Sequence, residues 1–295
     1  MSLGLEREVV PGVRVNVNYY HRRWFDELLT NNRALTLSDW TSFTVPNPLG
    51  SAVAGVCCPD VDNLGDFNDT ITIYNRNRNT RGQRDVLRTN SSGSDRSNIY
   101  NGFELGWNAR LPGGGAVFGA YNLERRVVKE CDSPSNPNTF RFCDDSEGGL
   151  PWTSLGKVAA NYPLPYGVQL SGVLQSYPGS FIQYTWSPPR SVFSAAGLSR
   201  TESVTTNLNN FGSVSQPRKT QVDMSVGKYF ELPGAARWKV SFDIYNLFNI
   251  DNIEDQRSGT SDAPGARFGR TLGVGRGVSE TWIGRLWKIG TRFEF

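Results

Sequence analysis

The feature that most constrains this chain is a two-residue period of apolar side chains, held over segments of about 10–15 residues and clearest at the C-terminal end. Trp287, Ile289, Phe293 and Phe295 share one parity, Lys288, Arg292 and Glu294 take the other, and the sequence stops on an aromatic residue. Successive side chains leave a strand on opposite faces, so a segment patterned this way lies between oil and water. The same pattern runs through Val13, Val15, Val17 and Tyr19, through Asn101, Phe103, Leu105, Trp107 and Ala109, and through Val117, Tyr121, Leu123 and Val127. It returns in Val222, Met224, Val226 and Phe230, and again in Trp238, Val240, Phe242, Ile244 and Phe248. The expected main strands are 3–9, 13–25, 99–110, 116–128, 152–162, 168–177, 218–232, 236–250 and 281–295.

The connections between these segments alternate. Pro11-Gly12, Leu111-Pro112-Gly113-Gly114-Gly115, Pro163-Leu164-Pro165-Tyr166-Gly167 and Pro233-Gly234 are tight turns after the first, third, fifth and seventh segments. Long polar connections follow the others: 26–97, with a short strand expected at 67–74, then the cysteine-bearing segment, 178–217 and 251–279. Antiparallel neighbours joined in this way put every long connection on one rim. Outer-membrane barrels are strung like this, with short periplasmic turns and long extracellular loops, whereas a soluble β-sandwich has no reason for it. The fold class expected is therefore all-β, an antiparallel transmembrane β-barrel segment. Trp24, Trp152, Tyr162, Tyr177 and Trp282 stand near strand ends, where aromatic interface girdles would lie.

Composition excludes other classes. No apolar run approaches the ~20 residues of a membrane helix. The 31 Lys and Arg against 28 Asp and Glu leave a net charge of +3 with the basic residues scattered, so no nucleic acid is expected as a partner. A length of 295 residues is compatible with one large β unit. Strand-like sequence follows Met1 almost at once, with no export signal, which leads to the expectation that the numbered chain is a fragment or processed product.

Cys57, Cys58, Cys131 and Cys143 all fall in loop-like sequence, which suits disulfides in an oxidising compartment. Cys131 and Cys143 are the expected pair, closing a short loop, while the partners of the adjacent Cys57 and Cys58 stay open. A zinc site would lack any CxxC spacing. His21, the single histidine, stands beside Arg22 and Arg23 without a GxSxG motif, and no enzyme is expected. Asp60, Asp62, Asn63 and Asp66, followed by Asp69, surround Gly65 and form a candidate calcium loop. A solvated loop with Asx turns accounts for them better, because no Glu stands at the closing position. Gly273-Val274-Gly275-Arg276-Gly277 follows no strand and opens no helix, so it is expected to be loop rather than a phosphate cradle. No other cofactor is expected.

Arg96-Ser97-Asn98-Ile99-Tyr100-Asn101-Gly102-Phe103-Glu104-Leu105-Gly106-Trp107-Asn108-Ala109-Arg110-Leu111 and Tyr245-Asn246-Leu247-Phe248-Asn249 resemble the TonB-dependent receptors. The likeness is strongest to the Oar-like group with a carboxypeptidase-regulatory-like N-terminal domain. Residues 19–32, the Cys131–Cys143 loop, 162–179, Phe268-Gly269 and the Arg-Phe-Glu-Phe end also look like that group. The resemblance implies a barrel of about 22 strands plugged by an N-terminal domain, importing a scarce ligand with energy delivered through TonB. The whole of 1–295 would then be a C-terminal portion of the barrel without the plug. The chain shows no plug, TonB box or signal peptide, so TonB would be reached only through a region outside it. The implied partners are outer-membrane lipid and the barrel assembly machinery, which would read Trp287, Ile289, Phe293 and Phe295, with loops extracellular and the C-terminus periplasmic. The imported ligand is not named by the loop composition. A passive pore or adhesive barrel and a secreted soluble β-sandwich module are the alternatives. Deleting Phe295 from the full-length protein is expected to lower its amount in the outer membrane, and unchanged levels would refute the assembly role. The first and last strands are expected to remain unpaired with each other.

Overall fold

The computed structural model describes residues 1–48, 69–90, 96–131, 135–181, 183–215, 217–234, 236–250 and 284–295, with the backbone alone at 259 and 260. The chain runs β1 (Ser2–Val10), β2 (Val13–Arg23), β3 (Leu28–Asn32), β4 (Trp40–Pro46), β5 (Thr70–Arg76), β6 (Val86–Asn90), β7 (Ser97–Arg110) and β8 (Ala116–Lys129). It continues through β9 (Thr153–Leu164), β10 (Val168–Tyr177), β11 (Thr185–Trp186), the short helix α1 (Arg190–Ala195), β12 (Thr206–Asn207), β13 (Lys219–Glu231), β14 (Arg237–Tyr245), β15 (Gly259–Thr260) and β16 (Leu286–Glu294). The nine long strands form one sheet in the order β1-β2-β7-β8-β9-β10-β13-β14-β16, each antiparallel to its neighbours.

Tight turns join β1 to β2, β7 to β8, β9 to β10 and β13 to β14 along one edge, and the four long connections leave from the other. At two of these turns Pro sets the first residue and glycine supplies the left-handed one, Gly12 at φ 82° and Gly234 at φ 81°. Among the described residues no ladder joins β1 to β16, so the sheet has two free edges. With nine antiparallel strands those two edges run parallel to each other, and closing the sheet on itself would need a parallel pair.

Register decides what each face carries. One row of directly opposed residues crosses all nine strands as Val10, Val13, Ala109, Val117, Ala160, Gly172, Met224, Ile244 and Trp287, without a polar side chain. A row of the other parity reads Glu6, Asn16, Gly106, Ala120, Lys157, Gln175 and Gln221. The period of two is thus kept in phase across the ladders, giving one apolar and one polar face. The apolar face is bare: Leu5 is 69% exposed, Phe103 46% and Ile289 77%. Among the described residues no second sheet packs over it, which is the arrangement a soluble sandwich would require.

The hydrophobic core lies in the long connections instead. Ile71 and Ile73 of β5 pack with Tyr184, Trp186, Phe193, Val204, Leu208 and Val214, all buried, with Phe43, Val45, Val192 and Leu198 at the margin. Burying such side chains stabilises by about 1.5–3 kcal/mol each, so this layer has a driving force of its own. Sequence reasoning took 26–97 and 178–217 as largely irregular. The described parts hold the strand pairs β3–β6 and β4–β5 and the helix α1, and it is the apolar residues of β4, β5 and the 184–214 segment, few as they are, that turn to one core.

Two other expectations need correction. The strand expected to run to Ile250 stops at Tyr245, since Asn246 takes φ 52° and turns the chain. Its amide donates to Asp223 Oδ1 at 2.9 Å, and its side chain bonds both the N–H and C=O of Ile250 at 2.9 Å. Tyr177 and Trp24 do not join the apolar girdle: Tyr177 has polar-face parity and donates to Gln175 Oε1, and Trp24 lies under the Arg126 guanidinium at 4.9 Å. Trp152 does lie on the apolar side, 5.8 Å from the Phe103 ring. Trp282 lies outside the described residues.

Candidate functional site

The loop layer is held together by buried asparagines, whose side chain offers both an acceptor and two donors. Asn138 accepts from the Tyr74 N–H and donates to the Tyr74 C=O, both at 2.9 Å, so its amide stands in for a strand beside β5. Asn75 donates to the Ser199 carbonyl at 3.0 Å and accepts from the Thr201 N–H at 3.2 Å. Asn47 reaches Asp69 Oδ1 at 2.8 Å and the Leu208 carbonyl at 3.0 Å. Asn209 accepts from the Tyr184 N–H at 2.7 Å. These four join segments up to 161 residues apart.

Cys131 and Cys143 are joined by a disulfide, with their Cα atoms 5.1 Å apart. Backbone bonds from Glu130 N–H to Cys143 C=O at 2.8 Å and from Asp145 N–H to Val128 C=O at 3.0 Å pinch the same base. Beyond Asn138 this loop carries Arg141, which donates to the carbonyls of Asn207 and Thr70 and pairs with Asp69 at 2.5 Å. The disulfide-closed loop therefore ties the first and third long connections together.

Between it and the loop ends of β7, β8 and β9 lies a cavity of about 930 Å³. Phe142, Phe181, Phe211, Tyr100, Leu29 and Leu150 supply apolar walls, with the Phe181 and Phe211 rings edge to face at 5.3 Å. Its charges are Arg96, Arg125, Arg126, Glu124, Glu130 and Asp145. Most are already engaged: Arg96 pairs with Glu130 at 3.4 Å, Glu124 accepts from the Tyr100 hydroxyl at 2.8 Å, and Arg126 Nε donates to Asn98 Oδ1 at 2.9 Å. Asp145 accepts from the Val128 N–H at 3.1 Å, and burial pushes its carboxyl above the usual range. Its neighbour Asp144 is held below that range chiefly by the Ser146 hydroxyl. Arg125 differs. Its Nε is buried without a hydrogen-bond partner.

Arg125 was overlooked in the sequence, although a signal stood there. It occupies an apolar-parity position between Leu123 and Val127, facing Asn101 of β7 in register. The cavity phenylalanines had no such signal, because they come together only through the folding of separate loops.

The residues expected in the last strand sit as their parity demands. Trp287 faces Ile244, Ile289 faces Phe242 and Phe293 faces Trp238, whose rings stack at 5.7 Å. Phe295 follows β16, fully exposed. His21 lies at the loop end of β2 with apolar-face parity, its Nδ1 2.8 Å from Asn101 Oδ1, which also accepts from the Tyr19 hydroxyl. Asp60, Asp62, Asn63 and Asp66, like Cys57, Cys58 and the 273–277 glycine run, lie outside the described residues. Among the described residues no cluster of three or more His, Cys, Asp or Glu could hold a metal.

No protein-family model matches this chain, and no curated protein does. Among solved structures it is similar to the outer membrane transporter YddB from Escherichia coli, with a TM-score of 0.44 and 11% sequence identity over 98% of this chain and 31% of that one. The chain thus spans about a third of the length of that transporter.

Proposed function

We propose that this chain is part of the wall of an outer-membrane transport barrel, of the TonB-dependent receptor type and akin to the Oar-like group. The apolar face meets lipid, the polar face lines an aqueous lumen, and the loop layer faces the exterior and receives the ligand. The observation that carries this reading is the bare apolar face set in register against a polar one. Water would penalise such a face at about 25 cal/mol per Å², whereas hydrocarbon would not. The free edges of β1 and β16 support a larger barrel, since each unpaired backbone group in hydrocarbon costs several kcal/mol by typical estimates. Further strands would cover them. Energised import, and any contact with TonB, would run through a plug region outside this chain.

The test is topology in intact cells of a Gram-negative host making the full-length protein. A cysteine replacing Arg81, exposed in the loop layer, is expected to react with a membrane-impermeant maleimide. One replacing Tyr166, 90% exposed in the tight turn between β9 and β10, is expected to react only after the outer membrane is permeabilised. Equal labelling of both in intact cells would overturn the reading.

A further inference from the structure

Parity puts the unengaged arginine of β8 on the apolar face. Arg125 leaves the strand with Leu123 and Val127, opposite Asn101, whereas Tyr100, Glu124 and Arg126 leave toward the cavity. Its Nε is buried without a partner, and its side chain makes no hydrogen bond or ion pair among the described residues. Two more arginines join it at the loop end of that face. Arg23 closes β2 at apolar parity, exposed, with the Phe25 ring 5.2 Å from its guanidinium. Arg218, just before β13, donates to the Ser176 hydroxyl at 3.0 Å and the Ser154 carbonyl at 2.7 Å, and both serines have apolar parity. Ser154 opposes Leu123, so the Arg218 guanidinium is anchored one strand away from Arg125. Between Arg23 and Arg125 stands Asn101, whose Oδ1 accepts from the Tyr19 hydroxyl and lies 2.8 Å from His21 Nδ1, which leaves its amide N–H groups as donors. No Asp or Glu occupies an apolar-parity position of the nine long strands, so no carboxylate of that face offsets these charges. Height fixes what they meet. Arg125 stands nine residues on from Ala116, a climb of about 21–24 Å along a tilted strand, against an apolar band about 25 Å tall. It therefore lies where hydrocarbon gives way to headgroups, on the loop side. The fork of N–H groups on a guanidinium matches a phosphate, and several cations without a carboxylate suit an anion of more than one charge. Below them Phe103, Leu105 and Leu174 offer exposed apolar surface for acyl chains.

We propose that the loop-side rim of the apolar face binds the phosphorylated sugar headgroup of an outer-leaflet glycolipid of the lipid A type. Arg125 and Arg218 receive a phosphate monoester, Arg23 adds charge beyond Asn101, and the acyl chains lie on Phe103, Leu105 and Leu174. The inference rests on the transport reading for the face that meets lipid and the rim that meets the exterior.

The experiment titrates the delipidated full-length protein in detergent micelles with bisphosphorylated lipid A, the same lipid dephosphorylated, and phosphatidylglycerol, and reads bound lipid by native mass spectrometry. Bisphosphorylated lipid A is expected to bind about tenfold more tightly than the dephosphorylated form, the scale of one charge-assisted pair, and more tightly than phosphatidylglycerol. Inorganic phosphate in large excess is expected not to displace it, since the acyl chains contribute to binding. Arg125→Gln breaks no bond within the chain and is expected to erase most of the difference between the two lipid A forms. Arg7→Gln, on the same face at the turn end, is expected to leave that difference unchanged. Heat-modifiable migration on gels checks that each variant is folded. Equal binding of the two lipid A forms, phosphatidylglycerol bound as tightly, displacement by inorganic phosphate, an unchanged difference in Arg125→Gln, or an equal loss in Arg7→Gln would each overturn the proposal. Binding in micelles does not depend on which rim is outside, so the site and the maleimide topology test fail separately.

Discussion

An arginine replacing Leu174 is expected to block insertion of the barrel, whereas an arginine replacing the adjacent Gln175 is expected to be tolerated. The two residues are neighbours on β10, yet Leu174 opposes Val158 and Val222 on the apolar face and Gln175 opposes Lys157 and Gln221 on the polar one. Arginine at the midplane of the lipid face costs about 2–4 kcal/mol, and on the lumen face it stays hydrated. The measurement is the folded fraction of each full-length variant in lipid vesicles, read as heat-modifiable migration against urea. A loss of roughly 2–4 kcal/mol for Leu174→Arg with less than about 1 kcal/mol for Gln175→Arg is the expected pattern. Equal losses, or the reverse order, would mean that the faces have been assigned to the wrong solvents.

The main sheet was legible in the sequence because each strand advertises its own face. β10 was placed at its observed limits, Val168–Tyr177, since Gly167 ends the turn before it and alternation fades after it. The parity of Trp287, Ile289 and Phe293 needed no knowledge of neighbours. The strand through Phe248 was overextended for the opposite reason: parity continues, but the side chain of Asn246 bonds the backbone of Ile250 and redirects the chain. Periodicity does not register a side chain competing for backbone partners.

The loop layer was harder to see. Asn47, Asn75, Asn138 and Asn209 are the residue type that normally signals exposed turns, and here all four are buried, the first three between loops distant in sequence. Ile71 and Ile73 carry a short alternation in β5, but nothing local tells that Tyr184 and Trp186 will cover them. The cavity inherits the same difficulty. Arg125 alone was marked locally, by breaking the apolar parity of β8.

Replacing Asn138 with alanine is expected to loosen the loop layer while leaving the sheet intact. The substitution removes the acceptor for the Tyr74 N–H and the donor for the Tyr74 C=O, beside a core in which Ile73 is fully buried. Leaving a buried polar group unsatisfied costs about 1–3 kcal/mol, and here two are affected. Reducing the Cys131–Cys143 disulfide is expected to act in the same direction, since releasing a short closed loop typically costs 2–4 kcal/mol. The two changes should be less than additive, because both free the same loop from β5. Hydrogen exchange followed by mass spectrometry separates this local effect from global unfolding. Amides of Thr70–Arg76 should exchange faster by one to two orders of magnitude, the equivalent of about 1.4–2.8 kcal/mol, while those of Val168–Tyr177 keep their protection. Unchanged exchange in β5 would show that the disulfide loop merely rests on the layer, and equal loss in β10 would show that layer and sheet unfold as one unit.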